Sequence, residues 1–526
     1  MRRSSTLIVG VLAAAMVAAG CGAPSQKTQA SDVSLESGIP LDKNFDPEAE
    51  FNWSFPVGTT SWDPILGSTG FDLPFLLPAY DRLVYLAPDG KFEPMLAESW
   101  DASADGKVLT FKLRADVTFS DGEPFNATAV KTNLDRAAGP GSMIKSQLHN
   151  VASVDVVDDL TVKVQLDGGM GAFLAAMSER PGMMASPKAI AAGNLAAAPV
   201  GVGPYIASEI VPGNSVTFTK TEGYWDPDAQ RVAVMHYKAI PDDQTRLNAL
   251  QSGELNGAYI AQKHVTPAKD AGLDVIGDVS PVLNYLAVNT SVKPFDDPKV
   301  RLAMNYAIDR VGIGEGLFEG LCTPQIQPFP STSFAYNKDI GDGLDIWPHD
   351  PEKAKKLLKE AGYRDGFTFA TVVTTVTAYV AEAEAIQDQL KEVGINMEIK
   401  PLPTVQLVDE FGISKVTPAV VTPTSSTVDP HTFMEGTMHP DARFNPGAQL
   451  SPKMVELIEK GAAPLDSKDR APFYSDFMDL WIDEVPHVMP ICVQHITQAY
   501  DDTVSNVQIY HSGVVDLRGV AVSKKD

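Results

Sequence analysis

Residues 350–402 carry the pattern that most narrows what this chain can fold into. "DPEKAKKLLKEAG" (350–362) reads as a helix with its punctuation in place. Asp350 sits at the N-cap and Pro351 at the first helical position. Ala354, Leu357, Leu358 and Ala361 form one face, and Gly362 lies past the end. "EAIQDQLKEVG" repeats the pattern with Ile386, Leu390 and Val393 and stops at Gly394, and "INMEIKPL" follows as a strand. Helix and strand alternating through short loops predict an α/β lobe. Upstream, "KVLTFKLRADVTF" alternates Leu109, Phe111 and Leu113 with polar partners, and "DLTVKVQL" does the same with Leu160, Val162, Val164 and Leu166. Both predict half-buried strands.

The N-terminus bears on location. Arg2 and Arg3 precede an apolar run from Leu7 to Gly20, shorter than the ~20 apolar residues of a membrane span. This predicts a secretory signal over residues 1–20. Cys21 directly after "VAAG" resembles the lipid-attachment motif of bacterial lipoproteins, with Ala18 where that motif prefers Leu. The expectation is a lipid on Cys21 and a polar tether over residues 21–44, with that lipid the only hold on the membrane. Removing residues 1–20 moves the formal charge from −25 to −27. Such a surface repels nucleic acid and anionic headgroups. The remaining ~480 residues exceed one hydrophobic core, so two or three lobes are expected. Cys322 and Cys492 would lie in an oxidising compartment, and their separation in sequence leaves pairing open.

The segment "YDRLVYLAPDGKFEPMLAESWDASADGKVLTFKLRADVTFSDGEPFNATAVKTNLDR" (80–136) resembles the signature of family-5 solute-binding proteins, the peptide- and nickel-type extracytoplasmic receptors of ABC importers. The resemblance continues, in the family's order, through "GVGPY" (201–205), "GYWD" (223–226), "NALQSGELNGAY" (248–259) and "LAVNTSVKPFDDPKVRLAMNYAIDR" (286–310). Most of these residues are scaffold. Val300, Ala303, Met304, Ala307 and Ile308 have helical spacing and read as core, and Met177, Met183 and Met184 read as packing. The resemblance implies a type II (cluster C) periplasmic-binding-protein-like clamp of two α/β lobes with an extra inserted subdomain. Lobe I would comprise residues 45–85, 200–280 and 490–526, with the insertion at 86–199 and lobe II at 281–489. The chain would cross near Val279–Val288 and return near Val488–His495. Implied with it are a monomer, a small ligand held between the lobes, delivery to ABC permease subunits, and no cofactor.

Motifs for catalysis are missing: there is no G-x-S-x-G elbow, H-E-x-x-H helix or Walker loop. Ser425, Ser426, Asp429 and His431 spell a triad, but residues this close on one extended segment do not align nucleophile and base. In "PHVMPICVQH" (486–495), strand alternation puts His487, Met489, Ile491, Val493 and His495 on one face and Cys492 on the other, which reads as buried strand rather than a metal site. "HTFMEGTMH" (431–439) leaves metal open, because a chelate needs only one histidine, His431. In peptide-binding relatives the matching segment reads roughly D-Y-x-D/E-P, and its first aspartate grips the ligand's amine. Aligned on Asp429-Pro430, that aspartate is Ser426 here and the aromatic is Thr427. Either the ligand lacks a free amine, or another acid such as Asp409 or Glu435 supplies the charge. The residues taken as ligand contacts are Thr60, Trp62, Tyr285, Thr375, Ser425, Ser426, Thr427 and His431. An oligopeptide-type solute is the main reading. A nickel-type chelate, or a sugar or other amine-free solute, is the alternative.

Overall fold

The computed structural model describes residues 35–67, 72–424 and 428–524. The expected signal segment, Cys21 and most of the tether lie outside the described residues, as do Ser425, Ser426 and Thr427. Eleven strands share one sheet. In chain order they are β1 (Glu50–Phe55), β2 (Tyr205–Val211), β3 (Ser215–Lys220), β4 (Val234–Ala239), β5 (Gly257–Tyr259), β6 (Asp274–Val288), β7 (Cys322–Pro324), β8 (Phe367–Thr374), β9 (Ile395–Leu402), β10 (Ala419–Pro423) and β11 (Val488–Tyr500). Across the sheet the order is β9-β8-β10-β6-β11-β5-β1-β4-β3-β2, and β7 pairs with β11.

The middle of the sheet is where the molecule divides. β6 and β11 run antiparallel, but their register shifts between Val279 and Leu283 and again between Asn284 and Tyr285. Both shifts have a chemical cause. Pro281 and Pro490 lack the N–H that a central strand donates, so proline in a buried strand is confined to irregular positions. Ser280 compensates at the first break, its Oγ donating to Gln494 O at 2.9 Å. On one side of the break β11 pairs with β5, and Ile276, Ile496 and Tyr500 pack with Trp53, Phe75 and Tyr237. On the other side β6 pairs with β10, and Leu286 and Met489 pack with Phe295, Met304 and Trp481. These two cores belong to the two lobes of a type II clamp, joined by β6 and β11.

A third core lies under a four-stranded antiparallel sheet, ordered Ala97–Ala102, Val108–Leu113, Thr161–Leu166, Val151–Asp158. Helix α1 (Ala127–Ala138) contributes Val130 and Leu134 to that core, and Asn126 caps it by accepting from Ala129 N. The expected limits of the insertion, 86 and 199, fall within shared packing. Leu83 and Val84 belong to the third core, whereas Met183, Ala185, Ala189 and Leu195 belong to the first lobe's core. Main-chain bonds from Leu83 N to Gly182 O and Val84 N to Met177 O stitch the two together.

In the second lobe the expected helices appear as α2 (Pro298–Ala307), α3 (Pro351–Glu360) and α4 (Thr377–Glu392), followed by α5 (Pro430–Phe433) and α6 (Ser467–Glu484). Asp350 caps α3 through Lys353 N, as its sequence predicts. The strict alternation expected for residues 487–495 is corrected by a bulge. Asn284 faces Cys492 and Tyr285 faces Pro490, so Ile491 is an extra residue, and β11 is buried on both faces. His487 bonds Phe444 O and His495 bonds the Thr323 hydroxyl, so the two imidazoles serve different neighbours. Cys322 and Cys492 are paired, with Cα atoms 5.4 Å apart, tying β7 to β11. The tether expected to reach residue 44 is also corrected. Leu35 and Ile39 are apolar and pack on the body. Gly38–Ile39 pairs with Val507–Gln508, so the chain is already docked there.

Candidate functional site

The expected cleft floor is built from the end of β10. Thr424 does not wait for a ligand. Its Oγ accepts from Leu283 N at 2.9 Å and donates to Pro281 O at 3.3 Å, replacing ladder bonds that the proline break removes. Past residues 425–427, the Val428 N–H crosses to the first lobe and donates to Glu179 Oε1 at 2.9 Å. Asp429-Pro430-His431 is then a helix start. Asp429 Oδ1 accepts from His431 N at 2.8 Å, and Pro430 takes the first helical position of α5. The same carboxylate grips Arg470 of α6 in a two-pronged pair, with Oδ1 at 2.7 Å from Nη2. Both partners are buried, and Tyr474 Oη and Gly461 O take further guanidinium protons. The Asp429 carboxylate therefore engages Arg470 and the His431 backbone N–H rather than the His431 imidazole, which removes the triad geometry.

His431 is buried, and its Nε2 lies 3.5 Å from Glu435 Oε1. Burial pushes its pKa down to about 3, so the ring is neutral. Among the described residues its Nδ1 has no hydrogen-bond partner. From the inserted subdomain, His149 Nδ1 approaches the other oxygen of Glu435 at 3.8 Å. Burial raises the Glu435 pKa. Among the described residues no group of three or more His, Cys, Asp or Glu side chains could hold a metal ion.

The facing wall is a run of buried ion pairs. Thr60 N donates to Asp72 Oδ1 at 3.0 Å, and Asp72 Oδ2 lies 3.2 Å from Arg180 Nη2. Arg82 pairs with Asp516 at 3.0 Å and also reaches Ser178 O. Arg518 pairs with Asp81 at 3.2 Å and with Asp226 at 2.8 Å. Glu179 stands among them with no ion pair of its own among the described residues. Burial pushes its pKa up to about 7, against the Val428 N–H, which pulls it down.

The residues singled out from the sequence are not all brought together. Thr60, on its backbone, joins the chain of contacts through Asp72 and Arg180 to the turn carrying Glu179. Thr60 and Trp62 also line a separate cavity of about 230 Å³ against the turn between β2 and β3. The Trp62 ring is buried edge-on to Phe218. Tyr285 is buried in the second lobe's core, where its hydroxyl meets Thr437. Thr375 is exposed just past β8, its N–H on Leu402 O at 3.1 Å. Asp409 is exposed and engaged by the Ser414 hydroxyl. Glu179 was missed, because "SERPGM" contains no motif; its acid followed directly by a basic residue was the available signal.

Other contacts also close the lobes. Gly171 N donates to Ala463 O at 3.3 Å, and Arg443 Nη2 lies 3.5 Å from Met143 O. The space between Glu179, Arg82, Val428 and Ser512 is reduced to about 10 Å³, room for about one water. The arrangement is a closed clamp with a polar seam.

Residues 91–445 match the model for bacterial extracellular solute-binding proteins, family 5 Middle. The glutathione-binding protein GsiB of Pectobacterium atrosepticum is 35% identical over 352 residues. That match covers 65% of this chain and 66% of GsiB, slightly less than two thirds of the relative's length. The periplasmic binding protein DppA of Helicobacter pylori, solved with the peptide STSA, superposes with a TM-score of 0.82 at 25% identity, covering 91% of this chain and 99% of DppA. A dipeptide-binding protein of a Pseudoalteromonas species, solved with Met-Leu, gives a TM-score of 0.79 at 25% identity, covering 90% of this chain and 100% of its own.

Proposed function

Because the chain belongs to the bacterial extracellular solute-binding proteins of family 5, we propose that it is a receptor rather than an enzyme, capturing an oligopeptide-type solute between its lobes and delivering it to an ABC import permease. The observation that carries this reading is the pair β6 and β11, the strands that join the two lobes, each broken by proline at the boundary. Such a joint permits hinge closure, and the Val428–Glu179 bond is made only when the lobes meet. The relatives are named for glutathione and for peptides, which supports the ligand class. Placement outside the cytoplasm through a lipid on Cys21, and action as a monomer, complete the proposal. Ser425, Ser426 and Thr427 would border the ligand, because the chain on either side of them meets the hinge and the facing lobe.

The test is direct. Protein purified natively should release a peptide-type compound on denaturation, identified by mass spectrometry. Adding that compound to ligand-free protein should raise the melting temperature in proportion to its logarithmic concentration. It should also reduce the radius of gyration in X-ray scattering. Saturation without compaction would remove the clamp mechanism.

A further inference from the structure

We infer that Glu179 is the point at which the clamp recognises a cationic group of its ligand, the free ammonium of a peptide-type solute. The inference rests on the receptor reading above and names what selects the ligand. It begins from the charges along the seam. Arg82 is matched by Asp516, Arg180 by Asp72, and Arg470 by Asp429. Glu179 is the carboxylate among these with no cation within ion-pair distance among the described residues. It is nine-tenths buried, and its one hydrogen bond is from the Val428 amide.

A carboxylate taken out of water without a counter-charge is unfavourable, and such a group retains its proton or acquires a cation. Burial, with the Asp429 charge adding to it, drives Glu179 toward the proton, while Val428 N–H, Arg180 and Arg82 oppose it. In this structure those arginines bond Asp72 and Asp516 and make no ion pair with Glu179, which leaves the carboxyl group open to a ligand ammonium. The surroundings limit hydration, since Leu73, Leu77 and Met183 help line a space beside Glu179 with room for about one water. Location matters as much as charge. Glu179 is on the first lobe and its amide partner is on the second, directly after Ser425–Thr427. A cation bound at Glu179 from the open cleft would be enclosed as the Val428 segment arrives, which couples recognition to closure.

The experiment compares a mixed tripeptide library carrying free amines with the same library N-acetylated, by calorimetry on the full-length protein. The parent should prefer the free-amine library by about ten- to hundredfold, the worth of one hydrogen-bonded charge. Glu179→Gln, which keeps an acceptor for Val428, should lose that preference while still binding and compacting. Affinity of the parent for the free-amine library should fall as pH drops below about 7, where Glu179 takes up a proton in the ligand-free state. It should fall again above about 8, where the peptide amine loses its own. Glu179→Gln should lose the acid limb alone. A merely structural Glu179 would alter melting temperature and both affinities together and leave the preference intact. Equal parent affinity for both libraries, or a preference surviving in Glu179→Gln, overturns the assignment to Glu179. Binding of neither library overturns the peptide reading itself, and the inference with it.

Discussion

The joint between the lobes contains a buried acid whose removal should stabilise the protein. Glu382 of α4 is fully buried. Its Oε2 accepts from Asn284 Nδ2 of β6 at 3.1 Å, and its Oε1 has no partner among the described residues. Gln494 of β11 donates to Asn284 and to the Tyr379 hydroxyl, so one polar network holds α4, β6 and β11 together. Burial pushes the Glu382 carboxyl from its ordinary value of 4.5 up to about 8, and the single bond from Asn284 only partly opposes this. The native state thus keeps a proton that the unfolded chain releases. Stability from this group is fully present below pH 4.5 and is lost progressively as pH rises toward 8.

At pH 7 the native carboxyl is mostly protonated and the unfolded one is ionised across 2.5 pH units above its own pKa of 4.5. At 1.36 kcal/mol per unit this costs about 3 kcal/mol. Glu382→Gln keeps the shape and the acceptor for Asn284 but cannot ionise. It should recover most of that cost at pH 7 and nothing at pH 4. The melting temperature at pH 7 should rise by about 3 °C if the chain melts as one unit, and by roughly twice that if the second lobe melts alone. The assay is calorimetry on parent and variant at pH 4, 5.5, 7 and 8. Only the difference between the two proteins is read, so other titrating groups cancel. A difference that stays constant with pH, or a variant less stable at pH 7 than the parent, would refute the reasoning.

Asp429→Ala should leave Arg470 buried beside Tyr474 without its carboxylate and cost about 3–5 kcal/mol. A urea midpoint unchanged from the parent would show that the pair contributes nothing. Cys21→Ala should release the protein into the medium or leave an uncleaved precursor, because one thiol carries the proposed lipid. Membrane fractionation with unchanged lipid labelling would sink that reading.

What the sequence made legible was local. Asp350-Pro351 and the apolar face of Ala354 and Leu358 specify α3 without reference to the rest of the chain. The alternation of Leu109, Phe111 and Leu113 likewise needs only its own strand. The parts that escaped depend on partners far away in sequence. Glu179 acquires meaning from residue 428, and the Thr424 hydroxyl, beside the segment taken as ligand contacts, is used on Pro281 and Leu283. The bulge at Ile491 was legible in principle. Pro281 and Pro490 interrupt otherwise apolar runs, and proline in a central strand demands an irregularity. Overlooking them turned a bent strand into a straight one and put five residues on one face.

These irregularities determine where the clamp bends. On the second-lobe side the crossing strand β11 is fixed by the Cys322–Cys492 bond and by the Glu382 network. On the first-lobe side it is held in register from His495 to Tyr500 by β6. Between them, around Ser280–Val282 and Gln494, side-chain hydroxyls of Ser280 and Thr424 stand in for ladder bonds. A hydroxyl on a rotatable Cβ tolerates reorientation that a paired main chain does not, so a hinge rotation would meet least resistance around Ser280–Val282, where β6 leaves its register with β11. The polar interactions that opening must break are also weak. Val428–Glu179, Gly171–Ala463 and Arg443–Met143 are single hydrogen bonds, each worth about 1–3 kcal/mol net, and the partly exposed His149–Glu435 approach is worth less. A ligand that binds the closed form only about tenfold better than the open one shifts the balance by about 1.4 kcal/mol, comparable to one of those bonds. An ammonium held on Glu179 about tenfold better once the Val428 segment encloses it would supply that shift, so the proposed contact can favour closure only to the extent that enclosure strengthens it.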